Sequence, residues 1–253
     1  MRIHEVETHY REAGAGSPVL LLHGWASSSE ALAGIAAALA PRHRVVSMDL
    51  PGFGWSAAPP TVWGVFEYTA HVTALLDHLR VGPTAVLGHS FGGRVGIALA
   101  ARHPARVARL ILVASAGVRP PRTAAGRLRV TVTTLLKAGT QLPLIGGTMR
   151  RQLDRWRERV GSRDYRQAGA LRPTFVRVVN EDLAPLLPQI AAPTLLLWGD
   201  QDREVGRPAV DLMAARIPGA RLIVFPGAGH FPFQDAPDVF QREVTGFLQA
   251  GAW

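Results

Sequence analysis

Short runs of apolar residues recur along the chain, separated by longer stretches whose apolar positions fall three or four residues apart. The short runs, at 18–23, 43–48, 84–88, 107–114, 193–198 and 221–225, predict strands. Several are unbroken Val, Leu and Ile, the pattern of strands covered on both faces. The longer stretches, at 31–40, 66–79, 91–102, 208–217 and 238–249, predict amphipathic helices. Their alternation predicts an α/β protein in which helices cover a mostly parallel sheet. Residues 2–11 alternate polar and apolar and predict an antiparallel hairpin at the sheet edge.

The rhythm stops after Val113-Ala114-Ser115-Ala116-Gly117 and resumes at Pro193. Between them lie helical patterns punctuated by Pro143, Gly146-Gly147 and Gly161, with no buried strand. The expected organisation is one α/β body built from residues 1–118 and 189–253, interrupted by a helical cap at 119–188.

Composition narrows the function classes. A chain of 253 residues that is 47% hydrophobic can bury one substantial core. With Cys 0, disulfides, thiolate metal sites and a cysteine nucleophile are excluded. No run of 18 apolar residues predicts a membrane span, and residues 1–5 do not begin a secretory signal, so the expected location is cytoplasmic. The net charge of +9 resembles a nucleic-acid signal until it is mapped. The segment from Arg119 to Asp182 carries all of the excess, and the rest of the chain is neutral. There is no nucleic-acid recognition motif, and the basic charge lies where the cap is expected, so it reads as a solvated helical surface or as steering for an anionic substrate.

Gly88-His89-Ser90-Phe91-Gly92 fits G-x-S-x-G between an apolar strand and a helix. A sharp strand-to-helix turn there exposes a serine hydroxyl, and the following helix points its N-terminal N–H groups at developing negative charge. A serine nucleophile needs a base. His230, in the Gly-rich loop Gly227-Ala228-Gly229-His230-Phe231 after the last strand, is the candidate among nine histidines. An acid should orient that base from the loop after an earlier strand. Asp202 is favoured there and Asp200 is the alternative, both in Trp198-Gly199-Asp200-Gln201-Asp202. Oxyanion donors are expected from the amides of Phe91, after the nucleophile, and Trp25, in His23-Gly24-Trp25 after an early strand.

With these elements in order, and with Asp49-Leu50-Pro51-Gly52-Phe53-Gly54-Trp55-Ser56 between them, the chain resembles the α/β-hydrolase superfamily over essentially its whole length. The resemblance implies an eight-stranded, mostly parallel sheet flanked by helices, with a cap over its carboxyl edge. Ser90 demotes the branches similar to haloalkane dehalogenases and epoxide hydrolases, which use aspartate at the elbow. One departure is Arg203-Glu204-Val205-Gly206 after Asp202, where members often have a proline.

The expected activity is hydrolysis of a small carboxylic ester through Ser90, His230 and Asp202, with no metal or cofactor, by a monomer or homodimer. Trp25, Leu142, Met149, Trp156 and Phe231 are candidate substrate-binding residues, with Leu135, Leu144 and Phe175 as further apolar candidates in the cap segment. Two rivals remain. One is a C–C bond hydrolase of anionic diketo acids, for which Arg94, four residues after the nucleophile, could face the pocket. The other is a ligand-binding receptor on a hydrolase scaffold.

Overall fold

The structure is a computed structural model and describes residues 1–119 and 163–250. Seven strands form the main sheet: β3 (Tyr10–Ala13), β4 (Ser17–Leu22), β5 (His43–Met48), β6 (Thr84–His89), β7 (Val107–Val113), β8 (Thr194–Gly199) and β9 (Arg221–Phe225). Their spatial order is β3-β5-β4-β6-β7-β8-β9, parallel throughout except for β3 against β5.

The expected count of eight strands is therefore corrected to seven among the described residues. Residues 2–11 divide their pairing: β1 (Arg2–Ile3) and β2 (Val6–Glu7) make a separate two-stranded sheet, and the edge strand begins at Tyr10. The edge strand is largely exposed, so it lacks the apolar signal that marks the central strands.

The unbroken apolar runs do bury both faces. Leu20, Leu22, Val86, Leu110, Leu112 and Leu196 point to one side and pack with helices α2 (Val65–His78), α3 (Phe91–Arg102) and, through Val210 and Met213, α6 (Arg207–Arg216). Val19, Leu21, Ala85, Leu87, Ile111 and Leu195 point to the other side. They pack with α1 (Ala33–Leu39) and with α8 (Pro237–Gln249), which follows the short α7 (Pro232–Asp235). Successive residues on a strand alternate sides, so a run with no polar member is what a two-sided core requires. At roughly 1.5–3 kcal/mol for each large apolar side chain fully buried, these strands dominate the driving force for folding.

Between β7 and β8 the described residues contain no strand. They form α4 (Arg163–Gln167) and α5 (Arg172–Asn180), with short 3-10 turns around them. Among the described residues, no helix is long and apolar enough to cross a membrane.

Parallel strands place all their carboxyl ends on one edge. The segments after β4, β6, β8 and β9 carry Trp25, Ser90, Asp202 and His230 respectively, so residues far apart in sequence meet there. The sheet order reverses at β4, which has β5 on one side and β6 on the other.

Candidate active site

Ser90 sits between β6 and α3 with φ 50° and ψ −106°, a left-handed backbone that a non-glycine residue adopts at a cost. The turn is held by Ser90 N–H donating to Val113 O at 3.0 Å and by Ala116 N–H donating to Ser90 O at 3.2 Å. Two flanking glycines are required by close approach of backbone. A Cβ on Gly88 would come within 2.4 Å of Gly92 O, and one on Gly92 within 2.2 Å of Leu22 O. The G-x-S-x-G spacing is thus the steric condition for packing the turn against the end of β4.

His230 and Asp202 come together from the loops after β9 and β8. His230 Nδ1–H donates to Asp202 Oδ2 at 2.9 Å. The other carboxylate oxygen, Oδ1, accepts from the amides of Glu204 (2.8 Å) and Val205 (3.0 Å). Burial pushes the Asp202 carboxyl up, but the hydrogen bonds from His230 and from these amides outweigh it and hold it below the usual carboxylate range. For His230, burial pulls the imidazole down. The hydrogen bond and charge of Asp202 and the charges of Glu204 and Asp164 outweigh that and raise it above the ordinary histidine value. Asp200, the alternative acid, is exposed and accepts from Gly227 N–H at 2.8 Å. It braces the histidine loop and leaves the histidine to Asp202.

Two histidines not singled out in the sequence support the site from beneath. His23 donates from Nδ1 to Gly24 O at 2.7 Å and accepts at Nε2 from Leu50 N–H at 2.9 Å. That pair of bonds fixes its tautomer, and burial lowers its pKa to about 4. It anchors the turn that presents Trp25. His89 donates from Nε2 to His230 O at 3.0 Å, and burial, with the neighbouring His230, lowers its pKa to about 3. A Cβ on Gly24 would meet His89 Nδ1 at 2.9 Å, so glycine is needed there as well. Both histidines are apolar-looking in context, and only the fold gives them partners.

Trp25 and Phe91 are adjacent, their ring centroids 5.3 Å apart and edge to face. Among the described residues, neither backbone amide is used in another hydrogen bond. The Trp25 indole also packs on Phe53 and on Phe175 of α5. Asp49, from the Asp49-Leu50-Pro51-Gly52 segment, accepts from the amides of Ser29 (2.7 Å) and Trp55 (2.9 Å) and from His9 Nδ1 (3.0 Å). It ties neighbouring loops together and does not reach the cavity.

Two cavities meet at Ser90 and Trp25. The larger, about 470 Å³, is also lined by Phe91, Arg94, Phe175 and Val178. The smaller, about 230 Å³, is lined by His89, His230 and Phe231. Asp164 and Glu204 border both. Of the expected substrate-binding residues, Trp25 and Phe231 line this space, and so does Phe175. Leu135, Leu142, Leu144, Met149 and Trp156 lie outside the described residues. Among the described residues, no group of three His, Asp or Glu side chains could hold a metal ion.

Comparison with known proteins agrees with this architecture. The chain is 30% identical over 246 residues to a pimeloyl-[acyl-carrier protein] methyl ester esterase of Nitrosomonas europaea, covering 92% of this chain and 96% of that one. It is 32% identical over 263 residues to a 2-hydroxymuconate semialdehyde hydrolase of Pseudomonas putida, covering 95% and 90%. The solved structure of the enol-lactonase of Burkholderia xenovorans superposes with a TM-score of 0.74 at 27% identity, covering 97% of this chain and 98% of that one. Residues 17–237 match the family described as the alpha/beta hydrolase fold, and the chain belongs to that family.

Proposed function

We propose that the chain is a serine hydrolase that cleaves small carboxylic esters, with Ser90 as nucleophile, His230 as general base and acid, and Asp202 as the acid that orients the histidine. The observation that carries this reading is the 2.9 Å bond from His230 Nδ1 to Asp202 Oδ2, on the sheet edge where Ser90 is held in its strained turn. An ionised Asp202 only accepts, so Nδ1 carries the proton and Nε2 is left to take one.

Ser90 Oγ attacks the ester carbonyl as its proton passes to His230 Nε2. The amides of Trp25 and Phe91 receive the oxyanion. The carbonyl–oxygen bond then breaks, and the alcohol leaves with the proton from His230. A water gives its proton to His230 and attacks the acyl-enzyme, and His230 returns the proton to Ser90, releasing the acid. Residues 119–188 form the cap over this site in the proposal. Phe175 of α5, packed on Trp25, supports that role.

The leaving alcohol is protonated by His230, so it belongs in the smaller cavity that His230 lines. The acyl part then occupies the larger one, beside Phe91 and Arg94. The relative named as a methyl ester esterase supports ester chemistry, and the one named as a semialdehyde hydrolase supports the C–C rival.

The deciding experiment is hydrolysis of p-nitrophenyl esters from C2 to C12 by the intact protein and by Ser90→Ala. Turnover that disappears in the variant supports the serine esterase. Equal turnover by both proteins, or none on any ester, sinks it. Turnover of vinylogous diketo acids in place of esters would move the assignment to C–C hydrolysis.

A further inference from the structure

Resting on the esterase reading, we infer that the acyl cavity is an anion site in which Arg94 binds a carboxylate at the far end of the acyl chain, so that the substrate class is monoesters of short dicarboxylic acids.

Arg94 lies one helical turn beyond Ser90 on α3 and lines the same cavity. It is only 9% exposed. Burying a guanidinium is costly unless its charge and its donors are met. Its hydrogen bonds use a single nitrogen: Nη1 donates to Val178 O at 3.0 Å and to Glu181 O at 3.1 Å. Among the described residues, Nη2 and Nε donate to no acceptor, and neither is a fully enclosed atom. They therefore face open space, and the cavity supplies it.

Among the described residues, no carboxylate pairs with Arg94. The nearby Glu181 side chain accepts from Val65 N–H and contacts Arg177, while Asp182 accepts from the amides of Arg119 and Ala184. The charges of Glu181 and Asp182 attract it without forming an ion pair, and the neighbouring cation Arg119 repels it. Burial and that repulsion lower the Arg94 pKa to about 10, so it stays charged at neutral pH. Two backbone carbonyls offset part of the cost and fix the side chain. A bound carboxylate would meet the remaining donors and the charge.

Position selects which part of the substrate is anionic. Arg94 lines the larger cavity and not the smaller one lined by His230. Glu204 and Asp164 border both cavities, but only the larger one adds arginines, Arg94 and Arg203, to offset them, so a carboxylate on the alcohol part would meet like charge without a fixed cation. A rise of roughly 6 Å separates residues one turn apart on a helix, which suits a short acyl chain between the scissile carbonyl and the guanidinium. The apolar lining between them, Phe91, Phe175 and Val178, suits methylenes.

The test compares monomethyl succinate, glutarate and adipate with methyl butyrate, valerate and hexanoate, followed by pH-stat. In the intact protein, kcat/KM should favour the acid-ended esters by roughly 10- to 100-fold, the worth of a charge-assisted hydrogen bond in a buried site. Arg94→Gln should collapse that ratio, chiefly through KM, and Arg94→Lys should restore part of it. Because Arg94 also brackets α5, Arg94→Gln could fail to fold, so a second measurement uses the intact protein alone. Glutarate should inhibit turnover of p-nitrophenyl acetate at least tenfold more tightly than its uncharged diamide, glutaramide, by roughly the lower end of the same range. Ester turnover with no acid preference and equal inhibition by glutarate and glutaramide overturns the anion site and leaves the esterase standing. If no ester is turned over, calorimetry of glutarate and glutaramide with the intact protein decides: selective glutarate binding keeps the anion site while the esterase fails, and equal or absent binding removes both.

Discussion

Glu204 Oε2 lies 3.3 Å from His230 Nε2, so the imidazole stands between two carboxylates, Asp202 on Nδ1 and Glu204 on Nε2. The two are not equivalent. The Asp202 side chain is fully buried and held by two amides, whereas the Glu204 side chain is 58% exposed and free to swing. With a neutral His230, the Nε2 lone pair faces a carboxylate oxygen, and both are acceptors. With an imidazolium, Nε2–H has an acceptor in Glu204. The contact therefore favours the protonated histidine, the form that cannot take a proton from Ser90.

The consequence is an acid limb that depends on Glu204. Activity requires neutral His230, whose pKa is held above the ordinary value by Asp202, Glu204 and Asp164 against burial. Removing the Glu204 charge leaves less to stabilise the imidazolium, so the pKa falls. The acid limb of kcat/KM for a neutral ester should move to lower pH in Glu204→Gln. A profile from about pH 5 to 9, the range in which a histidine base titrates, measures this on both proteins. An unmoved limb would show that the carboxylate is screened by solvent.

Asp202→Asn should leave the fold intact and remove most of the activity. The asparagine carbonyl can still accept from the amides of Glu204 and Val205, but its NH₂ then faces His230 Nδ1. Two donors cannot share that contact, so the proton moves to Nε2 and the base is blocked. In the chymotrypsin-type triad the same change costs about 10⁴-fold in kcat, and roughly 10³- to 10⁴-fold is expected here on the same grounds. A loss under tenfold with unchanged thermal stability would transfer the orienting role to another group, Glu204 first.

Ser90, Asp202 and His230 were legible in the sequence as candidates because each follows an apolar run, and parallel strands bring such positions to one edge. The supporting groups were not. His23 and His89 look like any histidine beside a strand, and their partners are Leu50 N–H and His230 O, distant in sequence. Glu204 was visible only as part of a segment lacking a usual proline. An edge hairpin at residues 2–11 was legible, but the division between the β1–β2 pair and the edge strand Tyr10–Ala13 was not, because an exposed edge strand needs no apolar face. The eighth strand came from the family resemblance and not from the apolar runs. Arg94 could be suspected from its spacing after Ser90. That neither Glu181 nor Asp182 forms an ion pair with it became evident only in the fold, where both accept from backbone amides.

The glycines offer a test that separates steric need from mere preference. At Gly92 a Cβ would sit 2.2 Å from Leu22 O and 2.8 Å from His23 O, both rigid backbone at the end of β4. Gly92→Ala must push α3 away from the strand or shift the turn that carries Trp25. The expected cost is about 1–3 kcal/mol of stability, in line with overpacked cores, which lowers the melting temperature by roughly 2–4 °C per kcal/mol at this chain length. Activity should fall by more than stability alone explains, because the Trp25 amide moves with His23. Gly34, inside α1, is the contrast: nothing lies within 4 Å of its added Cβ. Gly34→Ala should therefore stabilise by about 0.5–1 kcal/mol, since alanine restricts the unfolded chain and favours the helix. Calorimetric melting of the two variants beside the parent reads both signs at once. A Gly92→Ala protein as stable and active as the parent would mean that the elbow does not pack against β4 as described.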